Sequence, residues 1–187
     1  MFQSILTKLL IFTLLMLSAT LLKASEEKIN QASFLGLSIL DSDFNKVRTQ
    51  LWSIGGFTQA RSTKQKRAVD KFFTTYQLKD SYYIEFRYLS DGKLLSAKRQ
   101  YRPQSIHFNN RHDAIKTLEV AEELSKSLGD PTNVLTKSGA GLPSYQSYIW
   151  ETDLIKITLD RQGNDKLGNI FVLYQVKTDP YFIKLAE

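Results

Sequence analysis

Cysteine is absent from this 187-residue chain, and histidine occurs only at His107 and His112. Without cysteine there is no disulfide, no thiolate nucleophile, no zinc–thiolate cluster and no lipid-modified cysteine. The two histidines are not at helical i, i+4 spacing, so a zinc site would need carboxylates gathered from elsewhere. No metal and no cofactor is implied. A Gly-x-Ser-x-Gly elbow is missing, and no spacing recommends either histidine for a serine triad. Gly139-Ala140-Gly141 lacks the Gly, Lys and Ser/Thr that would follow in a phosphate-cradling loop. Beyond residue 24 no apolar run approaches the ~20 residues of a membrane span.

What the chain has first is an export signal. Residues 1–8 carry Lys8 and the amino terminus, residues 9–17 are strongly apolar, and residues 18–24 are smaller and end in Ala24. That order is the layout of a cleavable signal peptide, with cleavage expected after Ala24 and a second possible site after Ala19. The apolar stretch is interrupted by Thr13, Ser18 and Thr20, which disfavours a permanent transmembrane anchor. Removing Lys8 and Lys23 from the net charge of +6 leaves +4 on residues 25–187, a mild basic excess. The expected address is the periplasm or the medium, and nucleic acid is not an expected partner of an exported protein.

The remaining 163 residues make one domain's worth of chain. Without disulfides, stability has to come from packing, helped by an aromatic-rich composition of 11 Phe, 9 Tyr and 2 Trp in the full chain, of which only Phe2 and Phe12 fall within residues 1–24. Residues 26–32 are polar and read as a flexible lead-in. Phe44, Val47, Leu51 and Ile54 then fall on one helical face, with Asp41 or Ser42 as cap, Asp43 at the positive end of the dipole and Gly55-Gly56 as the stop. Strand-like runs follow over 69–78, 82–89 and 93–101, with Lys79-Asp80 and Asp91-Gly92 at the turns. In the second run Tyr82, Ile84, Phe86 and Tyr88 share one face, and Tyr83, Glu85, Arg87 and Leu89 the other.

A second helix is expected from Asn110, with Asp113 completing a capping box and Ile115, Leu118, Ala121, Leu124 and Leu128 as its apolar stripe. Gly129 and Pro131 end it. Three more strands are expected over 145–152, 154–160 and 170–177, after a loop at 138–143. The order helix, three strands, helix, three strands reads as an α+β fold, an antiparallel sheet with helices on one face. The two halves share element order and nearly share the spacing of Val47, Leu51, Ile54, Gly55 and Val120, Leu124, Leu128, Gly129, as an internal duplication would.

Leu128-Gly129-Asp130-Pro131 and Ile54-Gly55-Gly56-Phe57, each between a helix and a strand meander, carry a resemblance to two exported families. One is the outer-membrane lipoprotein family that includes BamE (SmpA/OmlA), and the other is the duplicated fold of the beta-lactamase inhibitor proteins. The resemblance is one of topology across most of the exported chain. It departs from the lipoproteins in having no lipidated cysteine and from the inhibitors in having no disulfide, and no functional residue is carried over.

Two surface resources remain. Arg61, Lys64, Lys66, Arg67 and Lys71, with Asp70 the only acid among them, form a basic lip suited to an anionic surface or an acidic envelope protein. Aromatic residues crowd the strands, and Tyr82, Tyr83 and Trp150 are candidates for contact with a protein or extended ligand. A non-enzymatic binding or adaptor module is therefore the expected function. A small hydrolase using Glu85, Glu151 and Asp153 as acid and base is the alternative, as is a ligand pocket between helix and sheet.

Overall fold

The computed structural model describes residues 25–65, 68–103, 114–138, 144–162 and 169–177. The expected signal peptide, Lys66, Arg67, His107, His112, Asn110, Asp113 and the 139–143 loop lie outside the described residues.

A short helix α1 (residues 25–30) leads into a hairpin of β1 (Ser33–Phe34) and β2 (Leu37–Ser38). Helix α2 (Phe44–Ile54) follows, then β3 (Phe57–Gln59), a 3₁₀ turn (Arg61–Thr63), β4 (Val69–Thr74), β5 (Ser81–Tyr88) and β6 (Leu94–Tyr101). Helix α3 (Thr117–Leu128) then precedes β7 (Asn133–Lys137), β8 (Tyr145–Glu151), β9 (Ile155–Gln162) and β10 (Asn169–Val176). The eight strands β3 to β10 make one sheet in the order β3-β4-β5-β6-β10-β9-β8-β7, every pair antiparallel. The fold is α+β with an antiparallel sheet, as the periodicity predicts, but each half carries four strands rather than three.

The helices and the small hairpin all lie on one face of this sheet. Phe44 of α2 packs edge-on to Tyr88, with ring centroids 5.5 Å apart. Phe34 of β1 stacks on Tyr174 of β10 at 5.6 Å, and α3 packs on β8 and β9. The core between the layers is filled by Ile84, Phe86, Ile155, Ile157, Leu159, Val172 and Trp150. Residues 26–32 are not simply a flexible lead-in: Ile29 of α1 and Ala32 just after it are buried in this core, and the Ala32 amide donates to the Ile29 carbonyl at 3.0 Å, while residues 26–28 and 31 stay exposed.

Local chemistry explains the helix ends. Asp43, not Asp41 or Ser42, caps α2: its Oδ1 accepts from the Asn45 and Lys46 amides at 2.8 and 2.9 Å. Both helices stop on a glycine at positive φ, 71° at Gly55 and 80° at Gly129, a conformation that penalises a Cβ. Helix α3 begins at Thr117, later than expected, with Glu119 reaching back to the Lys116 amide at 3.4 Å. Ile115 is buried just ahead of the helix, while Leu118 is half exposed, so the inward stripe runs through Val120, Ala121 and Leu128.

One irregularity positions the surface chemistry. Ser81 pairs with Tyr101, but Tyr83 pairs with Gln100, so β5 holds one extra residue at Tyr82. The bulge breaks the expected alternation and leaves Tyr82 at 55 % exposure instead of facing inward with Ile84 and Phe86.

Candidate functional site

The helix-bearing face of the sheet is core, and among the described residues nothing packs on the opposite face. Side chains from β4, β5, β6 and β10 meet there. Lys71 on β4 and Phe73 two residues on point the same way by strand alternation. Register brings Tyr83 opposite Phe73, Glu85 opposite Lys71, and Lys98 opposite Glu85.

The cluster is built on cation–aromatic geometry. The Lys71 amine sits 3.7 Å from the centre of the Tyr83 ring and 5.7 Å from that of Phe73. Tyr82, freed by the bulge, meets Phe73 and Tyr83 edge-to-face, at 6.1 and 5.9 Å. Lys98 stands 4.7 Å above the Phe171 ring and donates to Gln162 Oε1 at 2.7 Å. Its pKa is lowered, first by burial, with Glu85 acting in the opposite sense and Arg87 and Lys71 adding repulsion. Burial also raises the Tyr83 hydroxyl above the usual phenol range. Next to this cluster lies a depression of about 490 Å³ over Leu95 and Leu173, walled by Tyr83, Arg87, Lys98 and Gln175. Glu85 takes an ion pair with Arg87 at 2.9 Å, which leaves Lys71 and Lys98 as the cations facing a visitor.

The second half of the same face is chemically closed. Lys137 and the Tyr145 hydroxyl both bind Asp160, the latter at 2.9 Å. Lys156 and Lys177 both bind Glu151, at 3.3 and 2.7 Å. The Lys177 hydrogen bond, opposed by burial and aided by Lys156, holds the Glu151 carboxyl below its ordinary value. A general acid needs the reverse shift. Glu85 and Glu151 are also separated by the four strand spacings from β5 to β8, each about 4.8 Å, whereas glycosidase carboxylates stand roughly 5 to 9.5 Å apart. Asp153 is exposed in the turn that follows β8.

The expected contact residues thus divide. Tyr82 and Tyr83 lie in the open-face cluster. Arg61 opens the 3₁₀ turn beyond the β3–β4 edge and Lys64 follows it, while Thr63 ties the turn to β4 by accepting from the Lys71 amide at 3.2 Å. Trp150 is not on the surface: it is 0 % exposed and its indole Nε1 donates to the Gly129 carbonyl at 2.8 Å. Its alternation with Tyr148 places both toward the helices, so it offers a partner nothing to touch. Phe73, Lys98 and the exposed Trp52 add to the surface chemistry. Phe73 was legible as a strand aromatic; nothing local in the sequence marks Lys98, which reaches the cluster only through pairing of β6 with β5 and β10.

Asp70, the acid within the basic lip, is also buried. It accepts from Arg48 Nε and Nη2 at 2.8 and 2.6 Å, from Gln59 Nε2 at 2.6 Å and from the Tyr88 hydroxyl at 3.2 Å. Burial and the adjacent carboxylate both push the Tyr88 hydroxyl far upward. With its lone pairs taken, Asp70 ties α2 to the sheet and is not free to act as a base.

No described helix is long and apolar enough to cross a membrane. Compared with protein-family models, curated proteins and solved structures, the chain gives no significant match.

Proposed function

We propose that this chain is a non-enzymatic binding module, exported to the cell envelope, that holds a protein partner against the first half of its open sheet face. The partner's contact segment is acidic. The observation carrying this reading is the cluster of Lys71, Phe73, Tyr82 and Tyr83 beside Lys98: exposed aromatic area with two cations whose shared cross-strand neighbour, Glu85, takes its ion pair with Arg87 instead. Aromatic side chains supply contact area at low entropic cost, and partly desolvated cations select carboxylates over neutral groups. The layout of residues 1–24 supports export, and an exported chain would meet its partner in the periplasm or beyond it.

The test uses residues 25–187 and the charge-reversed variant Lys71→Glu/Lys98→Glu. Envelope extract is passed over both, and captured proteins are re-measured as purified components. An acidic protein held by the parent, at least about tenfold weaker on the variant and weakened by salt, supports the reading. Equal binding to both chains, or turnover of a substrate by the parent, overturns it.

A further inference from the structure

A second concavity lies away from this face, between α2 and the β3–β4 edge. It holds about 390 Å³, within the ~300–1,000 Å³ of small-molecule sites. Leu51 and Phe72, 3 and 7 % exposed, form its floor, and Phe57 forms one wall. Trp52 lines a rim at 90 % exposure, the highest of any large apolar side chain among the described residues. Helical spacing puts Arg48 one turn before Trp52 on the same side.

The electrostatics of this groove are asymmetric. Arg48 is neutralised by Asp70 but gives it only two of its five N–H donors, and its side chain remains 32 % exposed. Lys64 lines the groove and meets no acid among the described residues. The site therefore presents an apolar trough, one unmatched positive charge and spare donors from a neutralised guanidinium.

We propose that this groove binds a small monoanionic amphiphile, a free carboxylic acid with an apolar body. The body lies along Phe57, Phe72 and the indole of Trp52, while the carboxylate meets Lys64 and the remaining N–H groups of Arg48. A cationic amphiphile of equal length would face Lys64, and a neutral one would leave it unpaired. This inference is independent of the partner proposed for the open face.

The two tryptophans make the test direct, because Trp150 is 0 % exposed and Trp52 carries the solvent-sensitive emission. Residues 25–187 are titrated with decanoate below its micellar concentration, and with decanol and decyltrimethylammonium. Decanoate is expected to give a saturable blue shift and to protect Trp52 from acrylamide, with the other two binding at least about tenfold weaker, the scale of a lost charged hydrogen bond. Lys64→Gln, an exposed change, should raise the decanoate Kd about tenfold by the same reasoning. Lys98→Glu should leave it unchanged. A non-saturating response, equal binding of all three amphiphiles, an unchanged Kd in Lys64→Gln, or protection seen only on phospholipid vesicles overturns the proposal.

Discussion

The first and second halves of the molecule follow one plan and differ in what they leave on the surface. Each runs helix, glycine stop and four antiparallel strands, and the halves meet at β6 and β10 so that the strand order mirrors itself. Each helix is anchored to the sheet by a buried polar contact of its own kind. In the first half it is the ion pair of Arg48 with Asp70; in the second it is the indole of Trp150 on the carbonyl of Gly129. On the open face the contrast is sharper. The second half closes its charges on Asp160 and Glu151, whereas the first leaves Lys71 and Lys98 against aromatic rings. Among the described residues, the exposed aromatic side chains Trp52, Phe73, Tyr76 and Tyr82 also fall in the first half. A common scaffold thus constrains the inward face of both halves, and the surface chemistry that a partner can read is concentrated in one.

The largest effects should come from the anchors. Trp150→Ala should cost about 4 kcal/mol in urea unfolding, from lost burial and a cavity beneath α3. Trp52→Ala, in the first half, should change stability by less than ~0.5 kcal/mol. Equal losses at the two tryptophans would break the contrast between core and surface indole. Asp70→Ala should cost about 3 kcal/mol, at the low end for a broken buried pair because Arg48 keeps access to water. Measured against it, Arg48→Met/Asp70→Leu should recover part of that loss, since neither charge is then left buried alone.

On the open face the comparison becomes one of binding. Lys98→Glu should weaken an acidic partner about tenfold, while Lys137→Glu should change its affinity less than about twofold, as read by titration of the purified pair. Comparable losses at both sites would spread the interface across the whole face. The smallest effect is the acid response of Glu151. Its folded pKa lies below the ordinary 4.5, so its contribution is present above that value and fades as pH falls through the lowered one. The stability advantage of the parent over Glu151→Gln should be no more than about 0.5 kcal/mol for this part-exposed group, and should narrow as the pH is taken below 4.5. An advantage that widens in acid would contradict the ion pairs with Lys156 and Lys177.

Much of the fold was legible because it is written in short periods. The stripe of Val47 and Leu51, the glycine stops and the Asp91-Gly92 turn are local features, and the strands around them appear where the alternation ends. The short edge strands leave no mark in the sequence because Phe57–Gln59 and Asn133–Lys137 bury little, so nothing imposes an apolar pattern on them. The candidate site was half legible. Tyr82 and Tyr83 stand out as aromatics on opposite sides of an expected strand, yet only the bulge turns both toward the same cluster.

By itself the sequence determined where α2 and α3 stop, which of the longer strands are adjacent hairpins, and that the chain must be held together without disulfides. These follow from backbone geometry, side-chain period and residue type, all of which act within a few residues. Only the tertiary structure decided which face the helices cover, that β6 pairs with β10, and that Trp150 is core while Trp52 meets water. Those outcomes depend on contacts between residues far apart in the chain, where burial of one surface against another outweighs any local preference. The same contacts bring Lys98 beside Tyr83 and Phe171, and so create the open-face chemistry on which the proposed function rests.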